Sequence, residues 1–538
     1  MTTSSTLTNA QTSSAADQSA ALTAALTNLL GASAVQTGLL QRQQLSHDVF
    51  HQSTFVPDAV IVPQSVEQLR AAVRLVTDAG LAVVPRGGGM SYTGGYLPQR
   101  AGFVTVDLRA LDRVREVNLD DLTITVEAGC TWEQVHQALA GSGFRTPYWG
   151  PLSGLRATVG GAISQNSVFF GAGQHGSVAE SVIGLGVVLA DGSLLTTGAG
   201  SRMGGRPFSR WGGPDLTGLF VGDCGALGIK ALATMRLIPQ ASDIAYASFG
   251  FETIADMTRA QVALTRAGLP AECFGVDDYK IRNSSQMGNK LLAGAKTLLD
   301  LGAAGKTLFD GVRNAAKVAL SVRSLAEYPY SIHLTVEGDS PIAANERMAR
   351  VHAIAKKHQG TAMEGAIPKV LRARPFVPLR SMLGANGQRW VPVHAVMPLS
   401  QAEAAVQATE DFFHQRRALL EQHGIIYSPL TANFFNVFLI EPCFYWFDEI
   451  LPLHVEVLGE ELTRPWRSRP ANLPAREAVA TMRRELAELY ASMGGINFQI
   501  GRAYDYIDTL EQGARATVLS MKQLFDPRGL MNPGSLGI

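Results

Sequence analysis

The stretch VPRGGGMSYTGG, residues 84–95, follows the apolar run LAVV and places glycine at 87, 88, 89, 94 and 95. A strand cannot run on through such a sequence, because glycine weakens strand structure and loses more conformational freedom on folding than any other residue. Glycine at this density is expected where the backbone turns sharply or touches something closely, and a phosphate-bearing ligand is the leading candidate. A plain glycine-rich turn is the competing reading of the stretch taken alone.

The chain leading to this loop reads as strand, helix, strand. DAVIVP has strand character, and in SVEQLRAAVRLVTDAG the residues Val66, Leu69, Val73 and Val76 recur at helical spacing behind a serine cap. LAVVP then delivers the loop. Residues 103–240 are richer in strands, with FVTVDL, LTITVEAG, SVIGLGVVLADGSLLTTG and IKALATMRLIP, and they enclose a second glycine-rich element, GPLSGLRATVGGAISQNSVFFGAGQHG, at 150–176. If both elements face one crevice, they grip a long ligand from two sides through main-chain N–H groups.

Familiar nucleotide fingerprints are not met. The spacing in RGGGMSYTGG fails GxGxxG, and DLGAAGKT has Asp300 where a P-loop needs its first glycine. Without HExxH or a dense His/Cys cluster, no catalytic metal is expected. The 538 residues, 46% hydrophobic, suffice for more than one domain. Lys+Arg and Asp+Glu both number 46, and this balance argues against nucleic acid or an anionic membrane as partner. Cys130, Cys224, Cys273 and Cys443 are dispersed, which suits a reduced, cytoplasmic setting. The opening residues lack a basic start followed by an apolar core, so a mobile tail and then a short helix are expected. No run reaches the roughly eighteen apolar residues of an integral membrane segment.

The order PDAVIVPQSVEQLRAAVRLVTDAGLAVVPRGGGMSYTGG, LTITVEAGCTWEQVHQAL, ATVGGAISQNS, VIGLGVVLADGSLLTTG and GLFVGDCGALGI resembles the FAD-binding domain of the vanillyl-alcohol oxidase/p-cresol methylhydroxylase family. MKQLFDPRGLMNPGSLGI resembles that family's C-terminal ending. The resemblance implies an α+β fold: a tail and lead-in helix at 1–44, a two-subdomain FAD-binding domain at 45–240, a cap on a large antiparallel sheet flanked by helices at 241–494, and a segment at 495–538 returning to the FAD domain. It also implies that N–H groups of residues 87–91 surround the FAD pyrophosphate, while Thr158, Gly160, Gly161, Ser164 and Asn166 line its other side and GALGI, 225–229, approaches the adenine. Arg86, Gly87, Gly88, Gly89, Met90, Ser91, Thr93, Gly94, Pro151, Leu152, Ser153, Gly171, Gly176, Gly225, Gly228, Ile229 and Asn532 complete the expected cofactor contacts. Met90 stands where many relatives carry a histidine bonded to the flavin, and LTANFFNVFLIEPCFYW contains Tyr445 but no histidine. FAD held without a covalent bond is therefore expected, with a tyrosyl link as the alternative.

The resemblance implies hydride transfer from an organic substrate to flavin N5, with oxygen or a redox protein as the electron acceptor and a homodimer as an open state of assembly. Phenol-oxidising relatives place an arginine beside a tyrosine near the C-terminus, and QIGRAYDY offers Arg502 with Tyr504 and Tyr506. The match is partial: Gly501 replaces a tyrosine, the loop tyrosine falls about at Thr93 beside Tyr92, and Ser153 replaces an acid. The D-lactate and glycolate dehydrogenase branch fits the flavin motifs equally, but its HxGDGNxH and GEHG-type segments are missing. A flavin-binding carrier that has lost catalysis is the non-enzymatic alternative.

Arg502, Tyr504 and His394, the last in WVPVHAVMP, are the candidate catalytic residues, with a structural ion pair, a packing anchor and a hydrogen-bonded cap histidine as their plainer readings. His175 reads as a loop or flavin contact. The aromatic-rich NFFNVFLIEPCFYWF suits either an apolar pocket or a buried sheet, and tips the expectation toward a para-substituted phenol or aromatic alcohol. Two strand–helix units, YSIHLTVEGDSPIAANERMARVHAIAKKHQGT and WVPVHAVMPLSQAEAAVQATEDFFHQRRALLEQHG, suit the cap, and residues 283–325 read as a helical insertion.

Overall fold

Ser65 starts the helix Val66–Asp78 by accepting the N–H of Gln68, and Val66, Leu69, Val73 and Val76 all face inward, as their spacing requires. Each buried aliphatic side chain contributes about 1.5–3 kcal/mol. This helix joins the strands Ala59–Ile61 and Ala82–Arg86, which lie on opposite sides of Phe103–Asp107 and parallel to it; Val35–Gln36 completes a four-stranded sheet. The computed structural model describes residues 18–283, 327–377 and 379–538. Residues 18–30 form the lead-in helix and pack Leu26 and Leu30 into the same core. The expected tail before residue 18 and the expected helical region from residue 284 to 325 lie outside the described residues.

A second, five-stranded antiparallel sheet runs Val114–Asn118, Thr123–Glu127, Ile229–Arg236, Val182–Val188, Leu194–Thr196. The helix Val159–Gln165, capped by Thr158, lies against it, and the N–H groups of Val159 and Gly160 donate to the carbonyls of Cys130 and Ala128. The second half of the chain builds a seven-stranded antiparallel sheet in the order Thr361–Met363, Asp243–Phe251, Tyr330–Gly338, Glu272–Asp277, Leu430–Phe434, Val437–Ile440, Ala395–Pro398. The helices Ile254–Arg266, Pro341–Lys357 and Ala402–Gln415 pack against it. The protein is α+β, with separate sheets for its two halves.

WVPVHAVMP is not one strand. Arg389–Pro392 belongs to a three-stranded sheet with Cys443–Trp446 and Ile426–Ser428, whereas Ala395–Pro398 belongs to the seven-stranded sheet. His394, expected in mid-strand, therefore sits in the break between the two. Two further chain segments cross the same seam, one between Ser428 and Leu430 and one at Glu441–Pro442, and the N–H of Val393 donates to the carbonyl of Pro442 across it. Proline at 392, 429 and 442 suits a ladder that must be interrupted there.

The C-terminal segment comes back to the first half. The N–H of Val83 donates to Leu530 and that of Asn532 to Val83, so Met531 lies beside the strand that delivers the glycine loop. Lys522 fastens the return, donating to the carbonyls of Ala226 and Met531 and to Asp526.

Candidate functional site

One long cleft runs between the two halves. At one end its walls are the glycine loop, from Pro85 to Tyr92, and the second glycine-rich element, from Pro151 to Ser153 and Ala157 to Gln165, with Gly225 and Gly228–Lys230 beyond. The N–H groups of Gly87, Gly88, Gly89, Met90 and Ser91 donate to nothing among the described residues, and Arg86 Nη1 is buried without a partner. Five open main-chain donors and a spare guanidinium nitrogen are the donor set a pyrophosphate requires. An FAD fits these residues.

Glycine is needed here for a reason beyond the ligand. A Cβ on Gly88 would lie inside the carbonyl of Arg156, and one on Gly87 would strike Thr158 Oγ1. The two glycine-rich elements are pressed against each other, and Cβ atoms would separate them before any ligand arrived. The loop is fixed further by Tyr96, whose hydroxyl donates to the carbonyl of Gly89 (2.9 Å), and by Asp48, whose carboxylate accepts from Gly94 N–H (2.7 Å), Phe50 N–H and His51 N–H. Burial works against the Asp48 anion, but His51 and these donors hold its carboxyl below the usual range.

The other end of the cleft is aromatic. Tyr92, Phe169, Phe274, Trp390, Phe434 and Phe498 line it with Leu379, Met382 and Leu439. Two ionisable groups interrupt this wall. Glu441 lies at the seam between the sheets and accepts a hydrogen bond from the Tyr92 hydroxyl (3.1 Å). Lys280 lies on the helix that begins after Glu272–Asp277; its Nζ donates to the Tyr445 hydroxyl (2.7 Å) and stands 5.5 Å from the Trp390 ring centre. Burial pushes the Glu441 carboxyl up to about 7, against the opposing pull of Lys280 and the Tyr92 hydrogen bond. Burial alone would lower Lys280, but the acidic groups of Cys443, Tyr445 and Glu441 leave it raised.

Of the residues expected at the cofactor, Arg86, Gly87, Gly88, Gly89, Met90, Ser91, Pro151, Leu152, Ser153, Thr158, Gly160, Gly161, Ser164, Gly225, Gly228 and Ile229 line the cleft. Thr93, Gly94, Asn166, Gly171, Gly176 and Asn532 stand behind that surface. Thr93 bonds Ser91 and Gln165, Gly171 donates to Glu272, and Asn532 bridges the carbonyls of Gly95 and Cys224. Asn166 caps its helix in a left-handed conformation, φ 50°, and Gly176 ends the turn Ala172–His175 at φ 76°.

The three expected catalytic side chains also lie behind the wall. Arg502 turns toward the C-terminal segment and donates to the carbonyls of Gly94 (2.6 Å) and Pro533 (2.8 Å) and to Asn532 Oδ1 (2.7 Å). His394 is buried, its Nε2 against the carbonyl of Phe498 and its N–H donating to the Tyr504 hydroxyl (3.0 Å); burial lowers its ring to about 4. Tyr504 Oη is occupied by that contact and by His394 Nδ1 (3.2 Å). His175 is lowered to about 4 by burial and Arg145 and does not line the cleft. Tyr445 is likewise enclosed, its hydroxyl taken by Lys280. Sequence reasoning missed Glu441, Lys280 and Trp390. Glu441 carried a signal, a lone acid within LTANFFNVFLIEPCFYW, while Lys280 carried none.

Residues 57–198 match the family model described as FAD binding domain. The chain is 24% identical to the glycolate oxidase subunit GlcD of Bacillus subtilis over 91% of both chains. It is 30% identical to the probable mitochondrial D-lactate dehydrogenase of Danio rerio, over 50% of this chain and 53% of that protein. The chain thus spans about half the length of that D-lactate dehydrogenase. Its fold is shared with the 4-ethylphenol oxidase of Gulosibacter chungangensis in an isoeugenol complex, at a TM-score of 0.69 and 18% identity over 97% of this chain and 98% of that one.

Proposed function

We propose that the chain, whose residues 57–198 match an FAD binding domain and whose fold is shared with a 4-ethylphenol oxidase and a p-cresol methylhydroxylase, is a member of the vanillyl-alcohol oxidase/p-cresol methylhydroxylase family and an FAD-dependent oxidoreductase acting on a para-substituted phenol or aromatic alcohol. The observation that carries the substrate class is the aromatic wall of Tyr92, Phe169, Phe274, Trp390, Phe434 and Phe498. Such a wall recognises a ring by stacking and edge contacts. Bound FAD supplies the two-electron acceptor. Arg86 and the open N–H groups of Gly87–Ser91 hold its pyrophosphate, and Gly225 and Gly228–Lys230 take the adenine end. Arg502, Tyr504 and His394 act as positioning residues: Arg502 ties the glycine loop to the C-terminal segment, and the other two set the backbone around Phe498.

FAD is held without a covalent bond. Met90 packs against Val49, Met382 and Leu453, and the Tyr445 hydroxyl is engaged by Lys280. Acid precipitation releases the flavin to the supernatant if this is so; flavin retained on the polypeptide refutes it.

A D-2-hydroxy acid is the second reading, favoured by the alignment with glycolate oxidase subunit GlcD along nearly the whole chain. Anaerobic addition of phenols, aromatic alcohols and hydroxy acids to the loaded protein decides between them, since the true substrate bleaches the oxidised flavin. Bleaching by hydroxy acids alone overturns the aromatic assignment, and bleaching by none overturns the enzyme. Reoxidation in air then separates oxygen from a redox protein as acceptor.

A further inference from the structure

Arg502 gives its terminal nitrogens to Gly94, Asn532 and Pro533, keeps a buried Nε without a partner and does not line the cleft, so the charge at the aromatic end comes from elsewhere. Among the described cleft-lining residues, Glu272 is paired with Arg372 and Lys230 with Asp223, whereas neither Lys280 nor Glu441 is in a salt bridge with a described residue. Both are half-buried, with their open side toward the cleft. Lys280 spends one donor on the Tyr445 hydroxyl and a second on Cys443 Sγ (3.7 Å), and an ammonium has three, so one is left for a ligand. Glu441 has one oxygen on Tyr92 and the other without a hydrogen bond among the described residues. We propose that Lys280 and Glu441, with Tyr92, form a site for the acidic hydroxyl of a phenolic substrate, in which the ammonium fixes the oxygen and the carboxylate takes its proton. This deepens the reading given above and rests on it.

The substrate O–H bond breaks, its proton passes to Glu441, and the electron pair stays on the oxygen beside Lys280. FAD, held by Arg86 and the N–H groups of Gly87–Ser91, would supply the acceptor for the two electrons and the hydrogen that the substrate gives up. A compact ammonium suits a single anionic oxygen, where a guanidinium suits a two-oxygen carboxylate. The groups facing Glu441 are Tyr92 from the glycine loop, Lys280 from its helix, Cys443 from the following strand and Tyr504 from the C-terminal segment. Cys443 is pushed up to about 11 and Tyr504 to about 12, and Tyr92 stands well above its ordinary value, each chiefly by burial. Near neutral pH, then, Glu441 alone of this set changes charge.

The test titrates the FAD-loaded protein with 4-fluorophenol and reads ionisation of the bound ring by fluorine NMR, with 4-fluoroanisole as the same ring without an acidic hydrogen and benzoate as a carboxylate. A free phenol ionises at about 10, so at neutral pH the free probe is uncharged. The bound probe is expected to take on the phenolate shift as pH rises through about 7, following Glu441. Glu441→Gln should move that transition upward by more than one pH unit while binding persists. Lys280→Met should weaken 4-fluorophenol at least tenfold and leave 4-fluoroanisole unchanged, and Lys280→Arg should restore part of the loss. Flavin content and near-ultraviolet circular dichroism establish that each variant is folded. Should Lys280→Met not fold, the Glu441→Gln titration decides alone. Equal binding of both fluorinated rings, with both variants indifferent, overturns this site and leaves the aromatic substrate standing. Benzoate binding at least tenfold tighter than 4-fluorophenol and lost in Lys280→Met overturns it in favour of a carboxylate. If neither ring binds, the aromatic substrate itself is wrong.

Discussion

At one end of the cleft, five consecutive residues present their main-chain N–H groups, and at the other, Tyr92, Lys280 and Glu441 arrive from three separate parts of the chain. The first end is made by backbone and needs glycine so that two loops can touch; the second is made by side chains and needs a sheet seam to aim them. A defect in the backbone end costs the cofactor, because packing there leaves no slack. A defect in the side-chain end changes what the protein does with a cofactor it still holds. The difference separates loading from chemistry, and substitutions can be chosen to violate it.

The largest effect is expected from Gly88→Val. Its Cβ falls on the carbonyl of Arg156, so the loops must part, and flavin recovered per mole of folded protein should drop by a hundredfold or more. Gly161→Ala is the mild counterpart, since its Cβ meets only Thr158 Oγ1 at 3.1 Å, and it should cost loading a few-fold at most. Equal flavin content in the two variants would break the account of the backbone end.

Next in size is Arg502→Met. Three hydrogen bonds to two carbonyls and Asn532 are lost from a largely buried cation. A hydrogen bond to a charged group is worth about 1.5–3 kcal/mol, so denaturant unfolding should show a loss of about 2–4 kcal/mol with weaker FAD retention. Slower flavin reduction at unchanged stability and loading would return Arg502 to the substrate.

The smallest is a change of slope with pH. Glu441 is raised by burial from an ordinary 4.5 to about 7, so its contribution to stability is full below 4.5 and is lost as pH rises through about 7. In Glu441→Gln that decline should vanish, making the fall in Tm between about pH 5 and about pH 8 shallower than in the parent. Parallel Tm profiles would show that the carboxyl is better solvated than its place in the seam implies.

The backbone end was legible because glycine spacing, a serine cap and a 3.6-residue apolar period are all local. Val66, Leu69, Val73 and Val76 are buried as their spacing demands, and sixteen expected cofactor residues line the cleft. The side-chain end was not legible for the opposite reason. Lys280 and Glu441 acquire meaning only when Glu272–Asp277 pairs with Leu430–Phe434 and the chain crosses the seam at Glu441–Pro442, and no local pattern encodes that registry. Arg502 was expected at the substrate because its neighbours resemble a substrate-binding segment; in the structure its side chain reaches Asn532, behind the cleft wall, after the left-handed turn at Gly501, φ 56°.

The grip of Arg502 on the carbonyl of Gly94 joins positions 408 residues apart. At about 5–20 residues per second, a ribosome takes roughly 20–80 s to travel between them. The glycine loop is therefore born without its clamp and waits most of a minute for it. During that interval the loop is held by Asp48 and Tyr96, which are synthesised on either side of it, and the tie to the C-terminal segment is added only afterwards.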